Sequence, residues 1–282
     1  MDLSQIKNKL AGLQPKPKYE KVDYSKVYWK PKIGKHQVRI VPSKFDKSNP
    51  FKELYFHYGF GKFTIAALTN WGEQDPIVEF SKGLRKSSDK EDWQMAKKIE
   101  PKMRVFVPVL VRGEEHMGVR LWEFGKEIYQ QLLGIATDED YGDYTDISEG
   151  RDFTVEATEG EVAGRKVVKC AIRVKPKTTP ISEDATQLEK FLSEQPDIMT
   201  LYRKHTFEEL KVVLQKWLNP EEDIESIAPV VSTPSQHKNE DEEAEPLSDL
   251  PFDQPASKTY SLDTSAGKTS SADKFDSLFN QD

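Results

Sequence analysis

The chain of 282 residues predicts an α+β, mainly β, fold with helical attachments and an acidic C-terminal tail. Two observations lead there. Short β-branched and aromatic runs, bounded by Gly and Pro, recur from about residue 36 to residue 176, with one helical period inserted after Phe124. Beyond Pro220 the hydrophobic periodicity stops, and Ser, Asp, Glu and Pro take over, a composition that reads as a disordered tail.

Leu3, Ile6, Leu10 and Leu13 recur at spacings of three and four, so residues 3–13 read as a short amphipathic helix with Lys7 and Lys9 on its polar side. A helix this short is marginal in water and orders against something, such as a neighbouring copy. Pro15, Pro17 and Pro31 then mark an extended basic arm carrying Tyr19, Tyr24, Tyr28 and Trp29. "HQVRIVPSKF" is a strand ending at Pro42, and "KELYFHYGFGKFTIAAL" is a hairpin with Gly59 and Gly61 near its turn. Residues 82–102 are basic and read as irregular or partly helical. "MRVFVPVLVRGEEHMGVRLWEF" gives two strands around a loop at 113–116, followed by the helix "GKEIYQQLLGI". "DFTVEATEG" and "RKVVKCAIRVKP" form a second hairpin, with Gly160 and Gly164 marking the turn. Two helices close the folded part. In the second, Thr206 and Glu209 stand in capping-box spacing ahead of Leu210, Val213, Leu214 and Trp217. For a short-stranded sheet of this kind facing a polyanion, a five-stranded OB-fold barrel is the leading architecture.

Composition narrows the function. Hydrophobic residues make up only 36%, so a moderate core coexists with a segment that buries little. No run approaches the ~18–20 apolar residues of a membrane span. "MDLSQIKNKLAG" has no secretory h-region, and a single cysteine, Cys170, allows neither an internal disulfide nor a thiolate cluster. An intracellular, reducing compartment is expected. The net charge of −7 is uneven: residues 220–282 hold 15 acidic and 4 basic side chains, whereas residues 1–39 hold 10 basic and 3 acidic. A basic front and an acidic tail suit a polyanionic partner.

Catalysis finds little support. The carboxylates of "ATDEDYGDYTDISEG" (Asp138, Glu139, Asp140, Asp143, Asp146) fail the calcium-loop pattern, whose sixth position needs glycine where Asp143 stands. A metal-dependent nuclease using them is the enzymatic alternative to an acidic surface loop. The histidines 36, 57, 116, 205 and 237 lack metal spacing, and "GFGKFT" lacks the phosphate-loop spacing. No cofactor and no metal is expected.

Binding fits better. A protein indifferent to sequence needs cations for phosphates and exposed rings for bases, with stacking contributing about 1–3 kcal/mol per base. Tyr28 and Trp29 precede Lys30, Lys32, Lys35 and Arg39, with Lys44 beyond. Lys62 lies among Tyr55, Tyr58 and Phe63. Arg85 and Lys86 precede Trp93, which precedes Lys97, Lys98, Lys102 and Arg104. Phe51, Phe56, Phe106 and Phe124 read as core instead. Single-stranded RNA is the alternative ligand within this class.

Four blocks then resemble one family. "VRIVPSKFDKSNPF", "HYGF", "LWEFGKEIYQQL" and "FEEL" occur in the order seen in the single-stranded DNA-binding, helix-destabilising proteins of T-even-type bacteriophages, the gene 32 protein family, over about residues 35–215. The resemblance implies an OB-fold core (residues 21–219) that binds and protects single-stranded DNA in replication, recombination and repair in the cytoplasm of the infected host. It implies an N-terminal segment (residues 1–20) that contacts neighbouring copies cooperatively, through Leu3, Ile6, Lys7, Lys9 and Leu10. It implies a tail (residues 220–282) that recruits polymerase, helicase loader and recombination mediator. By position, Trp93 and Trp122 fall where the family has cleft aromatics, and Lys97 and Lys98 in its basic cluster. "DLPF" at Asp249, Leu250, Pro251 and Phe252 resembles the acidic ending of bacterial single-strand-binding proteins, and Phe275, Leu278 and Phe279 form a second apolar set in the tail. The family holds zinc through one histidine and three cysteines. Here His57 keeps the histidine position, but Asp75, Ile77 and Val78 stand near those of the cysteines. A subdomain at about 57–100 held without zinc, by Trp71, Ile77, Val78 and Phe80, is therefore expected, and some of the rings in 50–71 serve that packing.

Overall fold

Strand β5, Lys102–Val111, organises the molecule. Its odd residues Val105, Val107, Val109 and Val111 point into one core with Trp29, Val38, Ile40, Trp122, Phe124, Phe153 and Val155. Its even residues Phe106 and Leu110 face the other side, where they join two smaller clusters. The computed structural model describes residues 24–61, 64–162, 165–219 and 271–279.

The remaining strands are β1 (Tyr28–Trp29), β2 (Gly34–Ile40), β3 (Lys52–His57), β4 (Ile65–Ala66), β6 (Arg120–Phe124), β7 (Arg151–Val162) and β8 (Arg165–Thr178). They form one sheet in the order β1-β6-β5-β2-β7-β8, with β3 branching from β5 and β4 from β3. All pairings are antiparallel except β1 with β6. Against the expected five-stranded barrel, the body is mixed α+β on an open eight-stranded sheet. Pro108 sits where the β3 pairing of β5 has ended and the β2 pairing begins, so its missing N–H interrupts neither ladder.

Seven α-helices occur among the described residues: α1 (Pro76–Arg85), α2 (Lys90–Ile99), α3 (Lys126–Ala136), α4 (Ala185–Ser193), α5 (Ile198–Leu201), α6 (Phe207–Leu218) and α7 (Ser271–Phe279). The capping box of α6 forms as the sequence predicts: Thr206 Oγ1 accepts the Glu209 N–H, and Glu209 Oε2 accepts the Thr206 N–H. Gly59 and Gly61 take φ of +83° and +103° in the β3–β4 connection.

Three expectations change. Residues 82–102 are largely helical, because Asp75 and Asp89 cap α1 and α2 and each helix buries a stripe, Ile77, Phe80 and Leu84 on one and Ala96 and Ile99 on the other. Gly160 is no turn residue but pairs with Val167 inside β7. The C-terminal segment is not uniformly a tail: α7 is helical, and its Phe275 is 1% exposed among Phe80, Leu84, Ile99, Leu210 and Leu214. The predicted N-terminal contacts Leu3, Ile6, Lys7, Lys9 and Leu10 and the tail motif Asp249, Leu250, Pro251 and Phe252 lie outside the described residues.

Candidate nucleic-acid interface

Strand alternation decides which predicted side chains can reach a ligand. On β6, Arg120, Trp122 and Phe124 point towards Val109, Val107 and Val105, and Leu121 and Glu123 point the other way. Trp122 is therefore 1% exposed, in an edge-to-face contact with Trp29 at 5.4 Å, and is a core residue rather than a cleft aromatic. Arg39 is likewise corrected. Fully buried on β2, it donates from Nη1 to Asp152 Oδ1 (3.1 Å), and Arg112 donates from Nε and Nη2 to both oxygens of the same carboxylate (3.1 Å each). Arg39 is 0% and Asp152 2% exposed, so Arg39 belongs to an internal network that a phosphate cannot reach.

The opposite alternation builds one flank of a candidate surface. Lys102 and Arg104 share the β5 face with Phe106. Lys102 Nζ stands 5.9 Å from the Tyr58 ring, and Arg104 Nε donates to Glu123 Oε1 at 2.9 Å. Further along this face Tyr28 meets Phe106 and Tyr24, the latter stacked at 6.3 Å and 28°.

Beyond Tyr28 the surface opens into a cleft of about 400 Å³. Tyr24, Tyr28 and Trp29 supply its aromatic lining, Lys30 and Lys32 its outer cations, and Arg120 its inner one. Arg120 is 6% exposed; its Nη2 donates to Glu114, and its buried Nε lacks a hydrogen-bond partner. The Arg120 guanidinium holds the Glu114 carboxyl below its usual range. Tyr28 and Trp29 are only 7% and 4% exposed here, because their rings pack against Tyr24, Phe106, His36 and Trp122. Burial pushes the Tyr28 phenol up, so it stays a neutral donor, bonded to Tyr202. Tyr24, His36, Glu114 and Arg120 were missing from the sequence-predicted set. An arginine in the inward alternation of β6 was the signal for the last.

A second group lies on the helices. Trp93 is 46% exposed on α2, with the Arg85 guanidinium 4.5 Å from its ring, and Arg85 is held by a two-fold bond to Glu100 (2.6 Å each). Lys86, Lys97 and Lys98 are exposed, and Lys98 stands 5.3 Å from the Trp217 ring. Tyr55 is exposed on β3. Lys35 pairs with Glu156 across the β2–β7 ladder, and Lys44 lies over Phe45 in the following loop, so neither joins the cleft lining. Lys62 and Phe63 lie outside the described residues. Of the apolar tail set, Phe275 is buried and Phe279 packs on Phe207, leaving Leu278 facing out.

The carboxylates at 138–146 serve local turns. Asp138 accepts the Asp140 N–H, Asp143 that of Thr145, and Asp146 those of Ser148 and Glu149. Among the described residues, no group of three or more His, Cys, Asp or Glu side chains is arranged to hold a metal ion. Nor is any described helix long and apolar enough to cross a membrane.

The metal implied by the resemblance can be tested at His57. The imidazole is fully buried; its Nε2 lies 3.1 Å from Asp75 Oδ2 and its Nδ1 3.4 Å from the Ile99 carbonyl oxygen. Both ring nitrogens thus face oxygen acceptors, and Cys170 lies away on β8. The residues present do not fit a zinc site.

A family model described as gp32 DNA binding protein like matches residues 32–219, more than half of the chain. No curated protein matches it.

Proposed function

Since the chain belongs to the gp32 DNA-binding protein-like family, we propose that it coats single-stranded DNA without regard to sequence, as a binding protein rather than an enzyme. The observation that carries this reading is the cleft at Tyr24 and Tyr28, where aromatic lining and the cations Lys30, Lys32 and Arg120 meet in one concavity. A strand offers unpaired π-faces and regularly spaced phosphates; of the cleft rings Tyr24 is the one left partly exposed for the first, and Lys30 and Lys32 stand at the rim for the second. The exposed Trp93 with Arg85, and Lys97 and Lys98, extend the same chemistry onto the helices. We place the central strands as an OB-like core, residues 1–20 as a self-association segment, and the acidic tail as the recruiter of replication and recombination proteins. The setting is phage DNA replication, recombination and repair in the infected host's cytoplasm.

Tryptophan quenching by oligo-dT across a salt series tests the reading. Strong quenching with a steep negative salt slope is expected. Salt-insensitive binding, or none, would remove it.

A further inference from the structure

The structure inverts the polarity expected at a metal site. Around Asp75 the chain gathers donors. Leu68 N–H donates to Oδ2 at 2.8 Å, and Ile77 and Val78 N–H donate to Oδ1 at 2.9 and 3.2 Å. His57 Nε2 completes the set at Oδ2. An ionised carboxylate offers about four lone-pair directions, and four donors occupy them here. A cation at this point would face N–H dipoles directed at it, whereas a carboxylate is what those dipoles favour.

We propose that Asp75 is a built-in anion that does the cross-linking work of the family's zinc, tying β3, the 68–71 turn and the start of α1 into a helical subdomain that needs no metal.

The anchoring points support this. His57 comes from β3, Leu68 from the turn after β4, and Ile77 and Val78 from the first turn of α1. His57 Nδ1 lies 3.4 Å from the Ile99 carbonyl oxygen at the end of α2, so the hub also touches a fourth element. Pro76 at the first helical position fixes the backbone without an N–H that would compete for the carboxylate. Asp75 is 1% exposed, and water cannot replace these bonds cheaply. Burial alone would raise its carboxyl, but the bonds from His57, Leu68 and Val78 outweigh burial and hold it below the usual range. Around the hub, Ile77 and Phe80 of the expected set pack together with Leu84 and Ile99, while Trp71 packs in a different cluster and Val78 is only half-buried.

Two measurements on the full chain test the proposal. Thermal unfolding of the natural protein should be unchanged by EDTA and by added zinc, and elemental analysis should find no stoichiometric metal; a melting point that falls with EDTA, or one zinc per chain, would overturn it. Hydrogen exchange in Asp75→Asn should show the Leu68, Ile77 and Val78 amides exchanging together, roughly ten- to a hundredfold faster, with β5 and β7 amides unchanged. If these three amides keep their protection, Asp75 is not the hub. Should Asp75→Asn fail to fold, the chelator and metal measurements still decide.

Discussion

Asp152 shows how far a charged residue can be from a binding role. It sits 2% exposed between Arg39 and Arg112, with Gln37 Nε2 donating at 2.6 Å. Removing one partner of a buried pair leaves the other charge uncompensated. Asp152→Ala should therefore cost about 3–5 kcal/mol in urea unfolding; a loss below about 1 kcal/mol, the worth of a surface pair, would show that solvent reaches Arg39. Trp93 is the converse case, a large ring nearly half exposed beside a guanidinium. Trp93→Phe should abolish most oligo-dT quenching, whereas Trp122→Phe should leave it intact and lower stability. Equal loss from both would mean that quenching reports a conformational change instead of stacking. These two tryptophans look alike in sequence, each close to a basic residue. What separates them is alternation on β6, which becomes readable only once the partner strand is known. Arg39 was misplaced for the same reason, since a strand of period two does not say which face is inside.

Helix α7 draws its contacts from three others. Phe275 packs on Phe80 at 6.1 Å and Phe279 on Phe207 at 6.1 Å, while Lys274 pairs with Asp92 and Lys211 Nζ donates to the Phe279 carbonyl. Nine residues of isolated helix are unstable in water, so these contacts hold it. Phe275→Ala should release α7 to proteolysis while sheet amides stay protected; undiminished protection would place the anchoring elsewhere. Acid should release it too. Burial raises the Asp92 carboxyl, but the bonds from Lys274 and Ser87 and the Lys274 charge together outweigh this and hold it below its usual range. A depressed carboxylate stabilises above its unfolded value, and that contribution is lost as pH falls through the folded one. Protection of α7 should thus fall below about pH 4, and persistence to lower pH would show that the ion pair is idle. The capping box of α6 was legible because four consecutive residues encode it. Helix α2 was obscured by Lys90, Lys97 and Lys98 and the end of α1 by Lys82 and Arg85, although the Asp-Pro at 75–76 announced a helix start. The docking of α7 was not legible, because 52 residues separate it from the end of α6.

For the molecule as a whole, the proposed binding mode predicts a salt response. If Lys97 and Lys98 each contact one phosphate, replacing both by alanine should reduce the log–log salt slope by about 1.4, at about 0.7 per contact on a single strand. An unchanged slope would confine the strand to the cleft at Lys30, Lys32 and Arg120. The sequence located aromatic and cationic material only by segment. It could not assemble the cleft, whose walls come from β1, the loop after β5 and the start of β6, nearly a hundred residues apart.

Strand β1 is two residues long and runs parallel to β6, with Leu121 N–H bonded to the Val27 carbonyl. A pull directed along β1 loads this short ladder in shear, along the strands, instead of peeling it open bond by bond. Trp29 lies against Trp122, so the same pull is delivered to the floor of the sheet. Anything that grips the arm holds a mechanical handle on the cleft.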